Sequence, residues 1–510
     1  MINATPLLRL YARYRSARLH SLHPARTQEH QLLSLLAQAK DTKFGKQYDF
    51  ASIRNVAQYQ ARVPVRSYNA FWEEFWKEPF PHFGASTWPG KIRFIPVSSG
   101  TSSGSTKWIP CSDEMLRSNT KAGLDLLVHH LNNRKQSQIF AGKSFILGGS
   151  TDLVERAPGI FSGDLSGIAV KTLPWWAKMR YFPPQQIALL KDWEEKIEIL
   201  AQRSLKEDIR TLSGVPNWLF ILFDRLAQIR PGSDGLVRNL YPNLEMLVHG
   251  GVNFAPYHAR FQQILEGSKA ELREVYPASE GFIAVADRGY NQGLRMILDH
   301  GIFYEFIPVE ELESKYPTRH WIETIQPDVN YAIVLSTCAG LWSYLLGDTV
   351  KFVDTKNPRL LITGRTSYYI SAFGEHLIGE EIETAVSAAA SACNLNVVDY
   401  SMGAIYPTGP NDLGSHLYVV EFSGAIPAPE TLQRFGDLID SDLIKRNEDY
   451  EAHRQKGFGM KAPMITAVKA GTFAAWMKSR GKLGGQNKVP RIINKQELLD
   501  DLRAFVARGG

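Results

Sequence analysis

The chain has 510 residues, 44% hydrophobic and 22% charged, a balance that excludes disordered and fibrous classes. Fifty-eight basic against 52 acidic side chains leave a net charge of +6, spread along the sequence rather than gathered in one arm; this argues against a nucleic-acid partner and suits a nucleotide or organic-acid ligand. No run approaches the roughly 20 apolar residues of a membrane span, and the N-terminus lacks the apolar core of a signal peptide, so the expectation is a cytoplasmic protein with no membrane partner.

In chain order, residues 1–28 carry five arginines and no acid. That is the composition of an organellar transit peptide, but Leu7, Leu8, Leu10 and Tyr11 also suit an ordinary docking helix, which is the reading preferred. Short β-rich runs, Phe94 to Val97, Leu244 to Val248 and Tyr331 to Thr337, are separated by segments of helical periodicity, which predicts an α/β fold. Between Gln186 and Arg203, Ile187, Leu190, Trp193, Ile197 and Leu200 recur every three or four positions and predict one amphipathic helix. The turn-rich segment Asp354 to Arg359 leads to Leu361, Ile362, Thr363, Gly364 and Arg365, after which helices and strands start afresh. A boundary is therefore expected near Arg365, dividing residues 1–365 from a small α+β unit, 366–510, with a helix burying Ile378, Ile382, Ala385, Val386 and Ala389 and a strand from His416 to Phe422. Between Glu451 and Glu497 there are basic residues and no acid, a field that would attract phosphates or form a solvated face. Cys111, Cys338 and Cys393 are too far apart for a zinc motif and read as reduced core thiols.

Five segments carry chemistry. Ser98-Ser99-Gly100-Thr101-Ser102-Ser103-Gly104-Ser105-Thr106-Lys107 follows a predicted strand and precedes a helix starting near Ser112. Small residues let backbone N–H groups converge, hydroxyls add donors and a lysine adds charge, which is phosphate-cradling chemistry. The segment is not GxxxxGK[ST], and Gly142-Lys143-Ser144 has Ser137 where that motif needs glycine, which disfavours a P-loop ATPase. Gly100 to Gly104 also fits GxSxG, the hydrolase elbow with Ser102 as nucleophile, although an elbow has no use for four neighbouring hydroxyls and Lys107. Tyr276-Pro277-Ala278-Ser279-Glu280-Gly281 offers a stacking face and, four residues on, a carboxylate for Mg²⁺; a helix cap after a core tyrosine is the alternative. It comes after Leu247-Val248-His249-Gly250-Gly251. Tyr344-Leu345-Leu346-Gly347-Asp348 puts a carboxylate where it can accept ribose hydroxyls or close a turn. Gly364-Arg365-Thr366-Ser367 lies at the boundary, and Gly484-Gly485-Gln486-Asn487-Lys488 could be a mobile loop or a plain surface turn. Trp175, Trp176, Tyr181 and Phe182 form an aromatic segment suited to an acyl pocket or lid, or to core packing.

Taken together these segments resemble the adenylate-forming superfamily, and specifically the Gretchen Hagen-three family of acyl-acid amido synthetases. The similarity extends to Thr42-Lys43-Phe44-Gly45-Lys46-Gln47-Tyr48, Arg62-Val63-Pro64-Val65-Arg66, Gly163-Asp164-Leu165-Ser166-Gly167, Phe303-Tyr304-Glu305-Phe306 and Gln486-Asn487-Lys488-Val489-Pro490-Arg491, and covers nearly the whole chain. It implies a large N-terminal domain of β-sheets flanked by helices and a small mobile C-terminal domain. ATP and an acid would be the ligands, with an amine or amino acid as acceptor and a monomer or homodimer as the assembly. By motif matching, Ser98, Ser99, Thr101 and Lys107 belong to the phosphate loop, Tyr276 and Ala278 to the adenine site, Glu280 to Mg²⁺, Asp348 to the ribose, Arg365 to the hinge beside it, and Gly250 to the ATP site. Lys488 is the cation brought by the C-terminal domain. Pro277 and the residue after Tyr344, which is not arginine, depart from the family pattern without removing a ligand. An acyl-adenylate enzyme with an alcohol, thiol or carrier-protein acceptor is the next reading, ahead of a hydrolase or a non-catalytic nucleotide binder.

Overall fold

A computed structural model describes residues 2–99, 106–148, 153–188, 190, 193–251, 254–366, 369–370, 372–373, 375, 377–406, 413–447, 450–451, 454, 460–482 and 488–509. It has two compact units, Met1–Ile362 and Thr363–Gly510. Among the described residues no helix is long and apolar enough to cross a membrane.

The first unit opens with helices α1 (Thr5–His20) and α2 (Pro24–Ala39). Strand β1 (Phe94–Ser99) turns back as β2 (Thr106–Trp108), and α3 (Asp113–Asn133) follows. The start of α3 is dictated locally: the Ser112 hydroxyl accepts from the Met115 N–H at 3.0 Å, and Asp113 and Glu114 complement the positive end of the helix. The core strands are β3 (Lys143–Leu147), β4 (Ile209–Gly214), β5 (Met246–Gly250), β6 (Glu271–Ala278), β7 (Gly281–Val285), β8 (Leu294–Met296), β9 (Ile302–Pro308), β10 (Asn330–Thr337), β11 (Tyr344–Asp354) and β12 (Arg359–Arg365). With Tyr181–Phe182 and His320–Trp321 at its ends they form one sheet of 12 strands, in the order His320–Trp321, β9, β10, β11, β12, β8, β7, β6, β5, β4, β3, Tyr181–Phe182. Strands β3 to β6 pair in parallel, as βα connections require, whereas β6 to β11 are linked by antiparallel pairs. The β-rich run Tyr331 to Thr337 forms β10 as expected, and all of its residues are buried.

The predicted helix from Gln186 to Arg203 is divided. Gln185–Ala188 is one short helix and α4 (Trp193–Ser204) another, and the Lys196 ammonium caps the first by donating to the Ala188 carbonyl at 2.9 Å.

The second unit is α+β. Helix α5 (Gly379–Ala392) buries Ile382, Ala385, Val386 and Ala389 as its spacing predicts, while Ile378 precedes the helix. It accompanies a four-stranded sheet built on β13 (Val397–Ile405) and β14 (Ser415–Phe422). Part of the basic run is neutralised from outside it: Arg454 pairs with Asp440, Arg480 with Asp501 at 3.5 Å, and Arg491 with Asp399 at 3.2 Å. The cysteines are free, Cys111 and Cys338 buried and Cys393 half-buried.

Candidate active site

The first hydroxyl-rich segment lies between two strands of a hairpin. Ser98 faces Lys107 and Ser99 faces Thr106 across β1 and β2. The described chain on either side of Gly100–Gly104 runs from strand to strand, whereas a hydrolase elbow runs from strand to helix. Gly100, Thr101 and Ser102 lie outside the described residues, as do the side chains of Ser98, Ser99 and Arg365. Lys107 is described, half-buried, with its ammonium 5.8 Å from the centre of the Tyr68 ring.

The second segment is not a helix cap. Tyr276 and Ala278 end β6, Ala278 pairs with Gly281 in β7, and Ser279 and Glu280 form the two-residue turn between them. The turn holds Glu280 where it is 7% exposed, and the Tyr344 hydroxyl donates to its Oε1 at 3.2 Å. Burial pushes the Glu280 carboxyl above the ordinary carboxylate range; the nearby Lys107 charge opposes this and Asp348 reinforces it. A buried carboxyl group facing one ammonium and a second carboxylate fits a hard divalent cation, which would restore its ionised form.

Asp348 is not a turn residue but sits inside β11. Ala332 pairs with Thr349 and Val334 with Leu345, so three residues of β11 (Leu346, Gly347, Asp348) oppose the single Ile333 of β10. This bulge is possible because Gly347 adopts φ +93°, which an L side chain resists. It aims Asp348 at Tyr276, whose hydroxyl donates to Asp348 Oδ2 at 2.6 Å. The structure thus brings Lys107, Tyr276, Glu280, Tyr344 and Asp348 together from three strands and one turn. Gly250 ends β5 beside them, opposite Val275; a Cβ there would lie 2.3 Å from the Val275 carbonyl oxygen, so glycine is imposed by sheet packing. Lys488 belongs to the second unit and is exposed.

Sequence reasoning missed an adjoining group. Glu274 lies two residues before Tyr276 on β6 and faces His249 of β5 in register. Burial pushes the Glu274 carboxyl up to about 7 and, with the charge of His258, pushes the His249 imidazole down to about 3. His249 stacks on Phe254 at 3.6 Å, and His258 stacks on Tyr290 at 3.9 Å. The strand period of two was the available signal, since it sets Glu274 and Tyr276 on one face. The aromatic segment expected at an acyl pocket divides: Phe182 is buried against Phe145 at 4.8 Å, whereas Trp175 is 74% exposed.

A third cluster, Asp125, Asp299 and His300, has ligating atoms within 4.8 Å of one another. Arg15 already binds both carboxylates, at 2.7 Å each, so the cluster anchors α1.

Residues 15–270 match the GH3 family N-terminal domain, 295–365 its central domain and 380–497 its C-terminal domain. Over 283 residues the chain is 26% identical to a jasmonoyl-L-amino acid synthetase, JAR4, of Nicotiana attenuata, covering 52% of this chain and 47% of that protein. Over 295 residues it is 25% identical to a probable indole-3-acetic acid-amido synthetase, GH3.9, of Oryza sativa subsp. japonica, covering 52% of this chain and 64% of that one. The matches therefore span less than two thirds of either relative. Among solved structures, the GH3.15 acyl acid amido synthetase aligns with a TM-score of 0.78 at 16% identity, covering 94% of this chain and 93% of that one. The 2-hydroxyisobutyryl-CoA ligase in its postadenylation state aligns at 0.61 and 14% identity, covering 94% and 91%. These likenesses show the fold, which is that of adenylate-forming enzymes. Since the N-terminal domain match by itself takes in half of the sequence, this chain belongs to the GH3 family.

Proposed function

We propose that this chain is an ATP-dependent acyl-acid amido synthetase of the cytoplasm, which activates a small carboxylic acid as its acyl-adenylate with release of pyrophosphate and transfers the acyl group to an amine. The relatives' names couple acids to amino acids, and that acceptor class is proposed here. The observation that carries the reading is the Tyr276 hydroxyl held on Asp348 beside the buried Glu280, within a GH3-family chain.

A carboxylate is a poor acyl donor, and adenylation supplies a leaving group. Little covalent work falls to the protein, so positioning and charge carry the rate. In this account Tyr276, Ala278 and Gly250 flank the adenine, Asp348 accepts from the ribose hydroxyls, and Ser98, Ser99, Thr101 and Lys107 hold the phosphates. Glu280 would hold Mg²⁺, which when bound neutralises phosphate charge. Tyr344 keeps the Glu280 carboxylate oriented. Lys488 meets charge developing at the α-phosphate, and residues 366–510 turn about Gly364-Arg365 between the two steps. The face made by His249, Phe254 and Glu274 is proposed to receive the acid, in place of Trp176.

The test is product analysis. With a panel of aryl, alkyl and hydroxy acids and mixed amino acids, mass spectrometry should find an amide, and hydroxylamine should divert the same acid to a hydroxamate. Lys488→Ala should slow the affected step on the order of 10²- to 10³-fold, as loss of a single oxyanion donor does. A thioester or ester as the sole product would reassign the acceptor, and hydrolysis without ATP would sink the reading.

A further inference from the structure

Helix α1 has two apolar faces, and one is left over after docking. Of the four residues expected to seat it, Leu8 is buried and Tyr11 half-buried, and Ala12, Arg15 and Leu19 complete the docked face. Leu7, Leu10 and Tyr14 are instead 74%, 67% and 64% exposed. At about 100° per residue these three fall within an arc of about 60°, with Arg13 on one border and Arg18 on the other. Both arginines are exposed. Ile2, ahead of the helix, is also exposed, as are Trp175, Lys178 and Met179 in the segment whose Arg180 donates to the Ile2 carbonyl at 2.6 Å. Single exposed apolar residues are ordinary on a protein surface, whereas three aligned on one arc of a helix mark an interaction site.

We propose that this surface docks on an anionic lipid bilayer, with α1 lying in the plane of the interface. The exposed Arg13 and Arg18 flank the stripe and no acid lies in residues 1–28, so the occupant should be anionic. A second copy would set like charges against one another. A peptide needs a groove, and here the apolar side chains project from a helix. Leucine and tyrosine on one exposed arc of α1, bordered by arginine, suit the boundary between acyl chains and anionic headgroups. The inference departs from the sequence expectation of no membrane partner, and it does not depend on the proposed reaction.

The experiment is co-sedimentation of the full chain with phosphatidylcholine vesicles that contain or lack about 30% phosphatidylglycerol. The expected result is a bound fraction about tenfold higher on the anionic vesicles, decreasing with salt and returning to the neutral-vesicle level in L7Q/L10Q/Y14Q. Those positions are exposed, so an unchanged circular dichroism melt of the variant checks that the fold is intact. Equal binding to both vesicle types, or full binding by the variant, would overturn the proposal. So would a concentration-dependent dimer that the variant abolishes, which would reassign the surface to a second copy.

Discussion

Tyr276 and Asp348 are 72 residues apart in sequence and 2.6 Å apart in space, and this contact ties a stacking ring to a carboxylate. Hydrogen bonds to charged groups contribute about 1.5–3 kcal/mol, so Tyr276→Phe should raise the KM for ATP by roughly 10-fold or more while kcat changes less. Steady-state kinetics with varied ATP check this, and an unchanged KM would separate the pair from the nucleotide. Glu280 gives a pH signature. Its carboxyl is raised by burial, so the ionised form persists only above the ordinary carboxylate range and is lost as pH falls through the raised value. The kcat/KM profile should therefore lose activity on its acid side at a pH above about 4.5, and Glu280→Gln should abolish that limb together with most of the activity. His249 lies on the face proposed for the acid, so His249→Ala should change which acids are used while leaving ATP binding intact; the same acid ranking in both proteins would remove it from that role.

Among the elements, β11 and α1 show what patterning conveys and what it leaves out. The apolar run ending at Leu346 marks a strand, and glycine before aspartate reads as its end, yet β11 continues to Asp354 through a bulge at Gly347. Periodicity cannot reveal a bulge because the extra residues are specified by the partner strand. Gly347→Ala should destabilise the fold by roughly 1–2 kcal/mol through its positive φ, read as a lower denaturation midpoint. The same limit applies to β1 and β2, where a hydroxyl-rich loop between a strand and a helix concealed a hairpin. In α1 the buried anchor is Arg15, which a hydrophobic pattern cannot find. Burial disfavours the Asp125 carboxylate, but Arg15 and His300 more than offset it and hold its pKa at about 2. A depressed carboxylate contributes stability above its unfolded value and loses it on acidification, so this contribution, about 2 kcal/mol, should vanish between about pH 4 and pH 2. Arg15→Met leaves Asp125 and Asp299 buried without their cation and should cost about 3 kcal/mol or more in urea unfolding.

For the molecule as a whole, the α/β class, the strand β10 and the small α+β unit were legible because each rests on local composition or on a repeat of two or about 3.6 residues. Candidate residues could be found for a related reason: nucleotide chemistry needs small residues, hydroxyls, a lysine and carboxylates in short segments whose local sequence is enough to flag them. Their convergence was not legible, since it depends on the order of 12 strands and on pairings between segments as distant as Lys107, Glu280 and Asp348. The docked face of α1, and the stripe it leaves exposed, needed the position of α3 as well. Whether these converging groups adenylate a carboxylic acid can be read from exchange of labelled pyrophosphate into ATP with and without an acid panel. Exchange should require an acid and fall at least roughly 100-fold in Glu280→Gln. Exchange that ignores the acid, or ATP binding with no exchange for any acid in the panel, would contradict adenylation by these groups.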